Sequence, residues 1–348
     1  MNNKLKYTIS VVVFVLSICL LPGCEKKLPE GNDSAEIHKE FLEKIWTDIY
    51  ALNNTEDNHI EKKEQTNEED IAEKDLIEQE SVALEVPEPK PTDEGYDIST
   101  EEIAVNSSWE YADSSAINWG TAILYKRSSG WNGITVGVNA GHGTNGSYNY
   151  QTYCHPDRTP KVTGGTTAAG SVTAVAVSSG MTFYDGTPES AVNLCVAQKL
   201  KDKLLDYGYN VLMIRDGDDV QLDNVARTVI CNNMADCHLA IHFDGDGLSY
   251  DKGAFFMSVP DALKYMDPVS YTWEKSEAFG WSIIEGLTNV GVGINGSGNM
   301  DMDLTQTSYS TVASIDVELG NASSDHSDYY TDLLAEGLLN GINIYFNK

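Results

Sequence analysis

Ile134-Thr135-Val136-Gly137-Val138-Asn139-Ala140-Gly141-His142-Gly143 is an apolar run that ends in a histidine held between two glycines. The β-branched residues predict a strand over Ile134 to Val138. The glycines let the backbone turn sharply, which presents the His142 imidazole just beyond the strand's end. Downstream, helix-like and strand-like segments alternate. Thr187 is expected to cap a helix with Pro188 in its first position and Val192, Val196, Leu200 and Leu204 on one face. Gly208 stops it, and strands follow at Asn210 to Ile214, Leu239 to His242, Ala254 to Val259 and Ala313 to Val317. Helices are predicted over Asp223 to Met234, Ser276 to Leu287 and Asp328 to Phe346, with a Gly/Asn-rich loop at Gly291 to Gly298. This rhythm is that of an α/β domain whose mostly parallel or mixed central sheet carries helices on both faces. Ligands of such sheets sit beyond the carboxyl ends of the strands.

Upstream the chain is a different material. Met1 to Cys24 has the parts of an export signal: Lys4 and Lys6, an apolar run from Val11 to Leu21, and a small residue before a cysteine. The ending Leu21-Pro22-Gly23-Cys24 resembles the lipobox of bacterial lipoproteins, which implies cleavage before Cys24 and a membrane anchor of acyl chains there. An ordinary signal peptide or a short anchor helix is the alternative. Glu25 to Glu102 carries 25 acidic against 8 basic residues and too few apolar ones to order itself, so residues 25–105 read as an acidic disordered tether. Within it, Ile37 to Leu52 is amphipathic, and Val86 to Pro91 is a stiff proline-rich stretch. The folded domain is expected over 106–348. A net charge of -30 excludes nucleic acid as a partner, since phosphates require clustered Lys and Arg.

Between the first strand and first helix lies a long stretch, 144–188, rich in Gly, Ser, Thr and Val. The alternation at Val172 to Val177 suggests an inserted hairpin. With Tyr148, Tyr150, Tyr153 and His155 it is expected to border the cleft, as a substrate-shaping wall or a lid, or to be a surface hairpin. Cys154, Cys195, Cys231 and Cys237 lack C-x-x-C spacing, which speaks against a structural zinc knuckle, and their pairing is open. The Asp/Gly-rich turns at Asp216 and Asp244 do not fit a calcium loop.

Three metal-competent residues fall where strands end or helices begin: His142, Glu189 in the first turn of a helix, and His242 closing Leu239-Ala240-Ile241. Two imidazoles and a carboxylate with an open fourth position are a ligand set of catalytic zinc. Glu318 closes Ser314-Ile315-Asp316-Val317, and a carboxylate at the end of an apolar strand suits a general base. His238 precedes His242 by four, but on a strand the two lie roughly 13 Å apart and cannot share an ion. His155 and His326 are weaker loop candidates. Arg215 and Arg227 read as structural, pairing with Asp or capping carbonyls.

In order and spacing, these residues resemble the zinc-dependent N-acetylmuramoyl-L-alanine amidases. The likeness runs from Ile134 to Phe346 through Val136 to Gly143, Glu189, Gly208-Tyr209-Asn210-Val211 with Arg215, Arg227 and Asn232, Ala240-Ile241-His242, and Val317-Glu318-Leu319-Gly320. The resemblance implies that His142, Glu189 and His242 hold Zn2+, that Glu318 is the catalytic carboxylate, and that the substrate is peptidoglycan. Cleavage would fall at the amide between N-acetylmuramic acid and L-alanine. Asn139 stands where the family usually has Asp, and Asp244 where Asn is common. The alternatives are a zinc peptidase acting within the stem peptide and a non-catalytic, amidase-like wall-binding lipoprotein.

Overall fold

The computed structural model describes residues 96–348. The readings at Cys24, Ile37 to Leu52 and Val86 to Pro91 lie outside the described residues. Among the described residues there are ten strands: β1 (Ile98–Ala104), β2 (Thr121–Arg127), β3 (Thr135–Ala140), β4 (Gln151–Tyr153), β5 (Thr173–Val175), β6 (Asn210–Met213), β7 (Cys237–Asp244), β8 (Ala254–Ser258), β9 (Ile294–Asp301) and β10 (Ala313–Asn321). The helices are α1 (Glu189–Tyr207), α2 (Asn224–Met234), α3 (Val269–Asn289), the single turn α4 (Thr305–Ser308) and α5 (Asp328–Phe346).

Eight strands form one mixed sheet in the order β1-β2-β6-β3-β7-β10-β8-β9, and β4 pairs with β5 separately. The four central strands β6, β3, β7 and β10 run parallel, with antiparallel β2 and β8 on their flanks. Alternation within the strands divides the core. Val211 and Met213 of β6 join Val136, Val138, Leu239, Ile241, Ile315 and Val317 under α1, α3 and α5. Leu212 and Ile214 point the other way, to Leu124, Ala226 and Ile230 beside α2. Both faces are therefore covered, as expected of parallel strands.

The helix α1 turns the stripe Val192, Val196, Leu200 and Leu204 to the sheet, each at most 4% exposed. Every such side chain contributes about 1.5–3 kcal/mol relative to exposure. Gly208, at φ 116, ends the helix by donating its N–H to the carbonyls of Leu204 and Leu205. At the other end the expectation needs correcting. Pro188 is the capping residue, in extended conformation, and no side chain caps the helix, Thr187 included. At α2, Asp223 accepts the N–H of Ala226, and at α5, Ser327 accepts that of Tyr330.

Three further readings change. The sheet begins at Ile98, inside the stretch taken for tether, because β1 pairs along its length with β2. Only Ile103 of β1 is buried, so an edge strand with acidic residues carries no apolar alternation to betray it. The Gly/Asn-rich segment expected as a loop at Gly291 to Gly298 enters β9, which pairs in parallel with β8 at the sheet's other edge. There backbone hydrogen bonds with one neighbour substitute for the side-chain burial that sequence patterns detect. Helix α3 starts at Val269, ahead of the expected Ser276. Among the described residues, Cys154, Cys195, Cys231 and Cys237 are free thiols, and no helix is long and apolar enough to cross a membrane.

Candidate metal centre

Parallel pairing brings the expected residues together. Ala140 of β3 is opposite Ile241 of β7, and His242 of β7 is opposite Glu318 of β10. His142 follows β3 by two residues, so His142, His242 and Glu318 stand at the carboxyl ends of three adjacent strands. Glu189, the first residue of α1, faces them. His142 Nε2 lies 2.9 Å from Glu189 Oε1, and His242 Nδ1 lies 3.0 Å from His142 Nε2 and 3.1 Å from Glu189 Oε1. The three donor atoms are all within 4.8 Å of one another, in a cleft of about 550 Å³.

Each of the three is held from behind. His142 adopts φ 64, a left-handed conformation that non-glycine residues rarely take, and Arg227 Nη2 clamps its carbonyl at 2.6 Å. Its Nδ1 donates to the Ser178 carbonyl at 2.8 Å, which leaves the Nε2 lone pair facing Glu189. The Glu189 carboxylate accepts the backbone N–H of Met181 at 2.8 Å and of Phe243 at 3.1 Å, and the Asn193 amide one turn along α1 at 3.1 Å. Burial works to raise its pKa, but the hydrogen bonds and charges of His142 and His242 outweigh burial and hold it well below the usual carboxylate range. Burial likewise opposes protonation of His242, and the carboxylates of Asp316 and Glu189 outweigh it, so the pKa rises. Gly141 packs directly on the His242 ring, where a β-carbon would overlap it.

This set fits a metal ion. With His142 Nδ1 donating to Ser178, Nε2 is an acceptor that meets another acceptor, Glu189 Oε1. Only a proton or a cation placed between them relieves that contact, and a divalent ion satisfies both imidazoles and the carboxylate together.

Glu318 is 9% exposed and lines the same cleft, and its Oε2 has no hydrogen-bond partner among the described residues. Burial first, then the charges of Asp316, Glu189 and Asp244, raise its pKa well above the ordinary carboxyl value. Asp316, two residues earlier on the same face of β10, also lines the cleft.

The two arginines meet carbonyls, with no Asp paired to either among the described residues. Arg215 donates to the carbonyls of Ala140, Gly141, Ser190 and Gly217, and Arg227 to those of Leu222, Ala140 and His142 and to Thr144 and Asn139. Asn139 also donates its amide to His238 Nε2 at 3.2 Å, so the departure from Asp joins Arg227 to a buried neutral histidine. The other departure, Asp244, is matched by Lys252, which pairs with it and with Asp246 at 2.9 Å.

The 144–188 segment forms a wall of the cleft through Val175, Val177 and Ser178. Its two strands enclose a long excursion in place of a tight hairpin. It is also pinned. His155 Nε2 contacts Asp303 Oδ1 at 2.9 Å with both side chains fully buried, and Asp303 further accepts the Val162 N–H at 2.7 Å. Near the segment's far end, His326 Nε2 meets Asp185 Oδ2 at 3.0 Å. His155 and His326 are thus fastenings, away from the metal-competent cluster. Ser178 and Asn193 escaped the sequence reading, Ser178 because its contribution is a backbone carbonyl. Asn193 was detectable, since it stands four residues after Glu189 on one helix face.

A family profile described as N-acetylmuramoyl-L-alanine amidase matches residues 136–343. Among solved structures, the chain is similar to the N-acetylmuramyl-L-alanine amidase Ami1 from Mycobacterium smegmatis, with 19% identity, a TM-score of 0.50, and coverage of 62% of this chain and 97% of that one. Ami1 from Mycobacterium abscessus, in its apo form, shows 20% identity and a TM-score of 0.49 over 62% of this chain and 99% of that one. The CwlD amidase from Clostridioides difficile, solved in complex with the GerS lipoprotein, shows 18% and 0.45 over 62% and 98%. At such identities the likeness is one of fold. A comparison with curated proteins gives no match.

Proposed function

The chain belongs to the N-acetylmuramoyl-L-alanine amidase family, a family of peptidoglycan amidases, and on that premise we propose that it is a zinc enzyme. His142, Glu189 and His242 would hold the ion, and the bond cut is the amide between N-acetylmuramic acid and L-alanine. Peptidoglycan places the work of such an amidase outside the cytoplasm. The observation that carries the proposal is the convergence of three donor atoms, from the loop just after β3, from α1 and from β7, beside a carboxylate that has an oxygen to spare.

Zinc, when bound, supplies Lewis acidity and lowers the pKa of water in its reach. Glu318 accepts a proton from the attacking water on a carboxylate oxygen and returns it to the L-alanine nitrogen as that group leaves. Once the proton is taken, the buried and acid-crowded surroundings of Glu318 favour holding it until the nitrogen departs. Ser178, Arg215 and Arg227 fix His142 and its loop, so the donor set is ordered before substrate arrives.

Purified protein is expected to contain zinc and to release muropeptides with a new L-alanine amino terminus, read by mass spectrometry. A cut within the stem peptide would support the peptidase alternative. Glu318→Ala should keep the metal and lose turnover; a variant that still turns over removes Glu318 from the mechanism.

We also read Cys24 as a lipidated anchor after a signal peptide at 1–24, followed by an acidic tether that leads into the domain beginning near Ile98. Cys24→Ser should move the protein from the membrane to the soluble fraction without altering hydrolysis of soluble muropeptides. Unchanged fractionation would refute the anchor.

A further inference from the structure

The two ring nitrogens of His242 have different surroundings. Nδ1 belongs to the donor cluster, 3.0 Å from His142 Nε2 and 3.1 Å from Glu189 Oε1. Nε2, across the ring, faces Asp316 Oδ2 at an ion-pair distance of 3.6 Å. Asp316 is an unusual residue for its place. It sits in the middle of β10 between Ile315 and Val317, both fully buried, and stands in register with Ala240 of β7. Its side chain is 13% exposed, and Oδ1 has no hydrogen-bond partner among the described residues. A carboxylate taken out of water in this way is costly unless a partner compensates it. The ion pair it makes among the described residues is the one with His242.

Resting on the zinc reading above, we propose that Asp316 is the positioning residue of His242. Its carboxylate faces the Nε2–H as acceptor, favours the tautomer that leaves the lone pair on Nδ1, and aims that lone pair at the shared cation. A carboxylate behind a ligating imidazole both orients the ring and makes it a stronger donor. β10 then serves the site twice on one face, with Asp316 acting through His242 and Glu318 acting on the substrate.

The test is a Zn2+ affinity measurement on the full-length protein by competition with a chromogenic chelator. The set comprises wild type, Asp316→Ala, Asp316→Asn, His242→Ala and the Asp316→Ala/His242→Ala double variant. Asp316→Ala should weaken Zn2+ binding by about 10- to 100-fold. Asp316→Asn keeps a carbonyl that can accept a hydrogen bond from Nε2–H, so its loss should be smaller but measurable. With His242 already replaced, the Asp316 substitution should have no further effect, because its route to the ion is gone. An Asp316→Ala affinity equal to wild type overturns the proposal, and so does an undiminished loss in the His242→Ala background. Should Asp316→Ala fail to fold, Asp316→Asn decides, and equality with wild type overturns it. Wild type that binds no Zn2+ overturns the metal-site reading itself, an outcome distinct from these.

Discussion

Two arginines and two acids are buried at the same end of the sheet, and they are treated in opposite ways. Arg215 and Arg227, each 1% exposed, spend their donors on backbone carbonyls, chiefly those of the loop from Ala140 to His142. Burial pulls Arg227 down to about 9, so it stays charged at neutral pH with carbonyl dipoles in place of a counter-ion. Among the described residues, Asp316 and Glu318 each retain an oxygen with no partner, and burial raises the pKa of both. A buried charge with satisfied hydrogen bonds is scaffold. A buried charge left with a free atom marks where something is meant to arrive.

The largest effect should come from removing the unsatisfied side. Glu318→Gln, nearly isosteric, should lower turnover by about 10²- to 10⁴-fold, the range of a lost general base. It should not destabilise the metal-free fold. Because the folded pKa of Glu318 lies above the unfolded value of 4.5, the folded protein binds the extra proton and loses stability as pH rises through that window. The glutamine variant lacks this loss, so its metal-free stability relative to wild type should improve between pH 5 and pH 8 in urea titrations. A variant less stable at pH 8 than at pH 5, relative to wild type, would break the comparison.

On the satisfied side, Arg227→Met should act through the fold. It strips donors from His142, Thr144 and Asn139, and the resulting orphaned acceptors should cost about 3 kcal/mol or more in denaturant unfolding. Full stability with lost activity would instead make Arg227 a functional group. The smallest effect concerns His238, which burial and then Arg227 push down to about 3. Below the unfolded value of 6.5 the unfolded chain takes a proton that the folded chain refuses, so stability falls from there toward pH 3, by at most about 1.4 kcal/mol per pH unit. His238→Gln should flatten that slope in acid unfolding curves.

The sequence was most legible where local chemistry and tertiary demand coincide. His142 between glycines, Glu189 opening a helix and His242 closing an apolar strand were each readable because strand ends and helix starts are set by their own residues. Parallel register then makes neighbours of them. The edges of the sheet were not legible. β1 buries only Ile103, and β9 is built on Gly and Asn, so neither shows the alternation that announces a half-buried strand. The supporting shell was legible only in part. Carbonyls such as that of Ser178 leave no trace in residue type, and Asp316 read as one more strand position because its partner, His242, is 74 residues away in sequence and one strand away in space.

Gly141 carries no functional group, yet the His242 ring lies directly against its bare backbone. Adding a single methyl there would evict the imidazole from its seat. The site's point of greatest fragility is therefore a hydrogen atom, and the room it leaves decides whether the chemistry can be assembled at all.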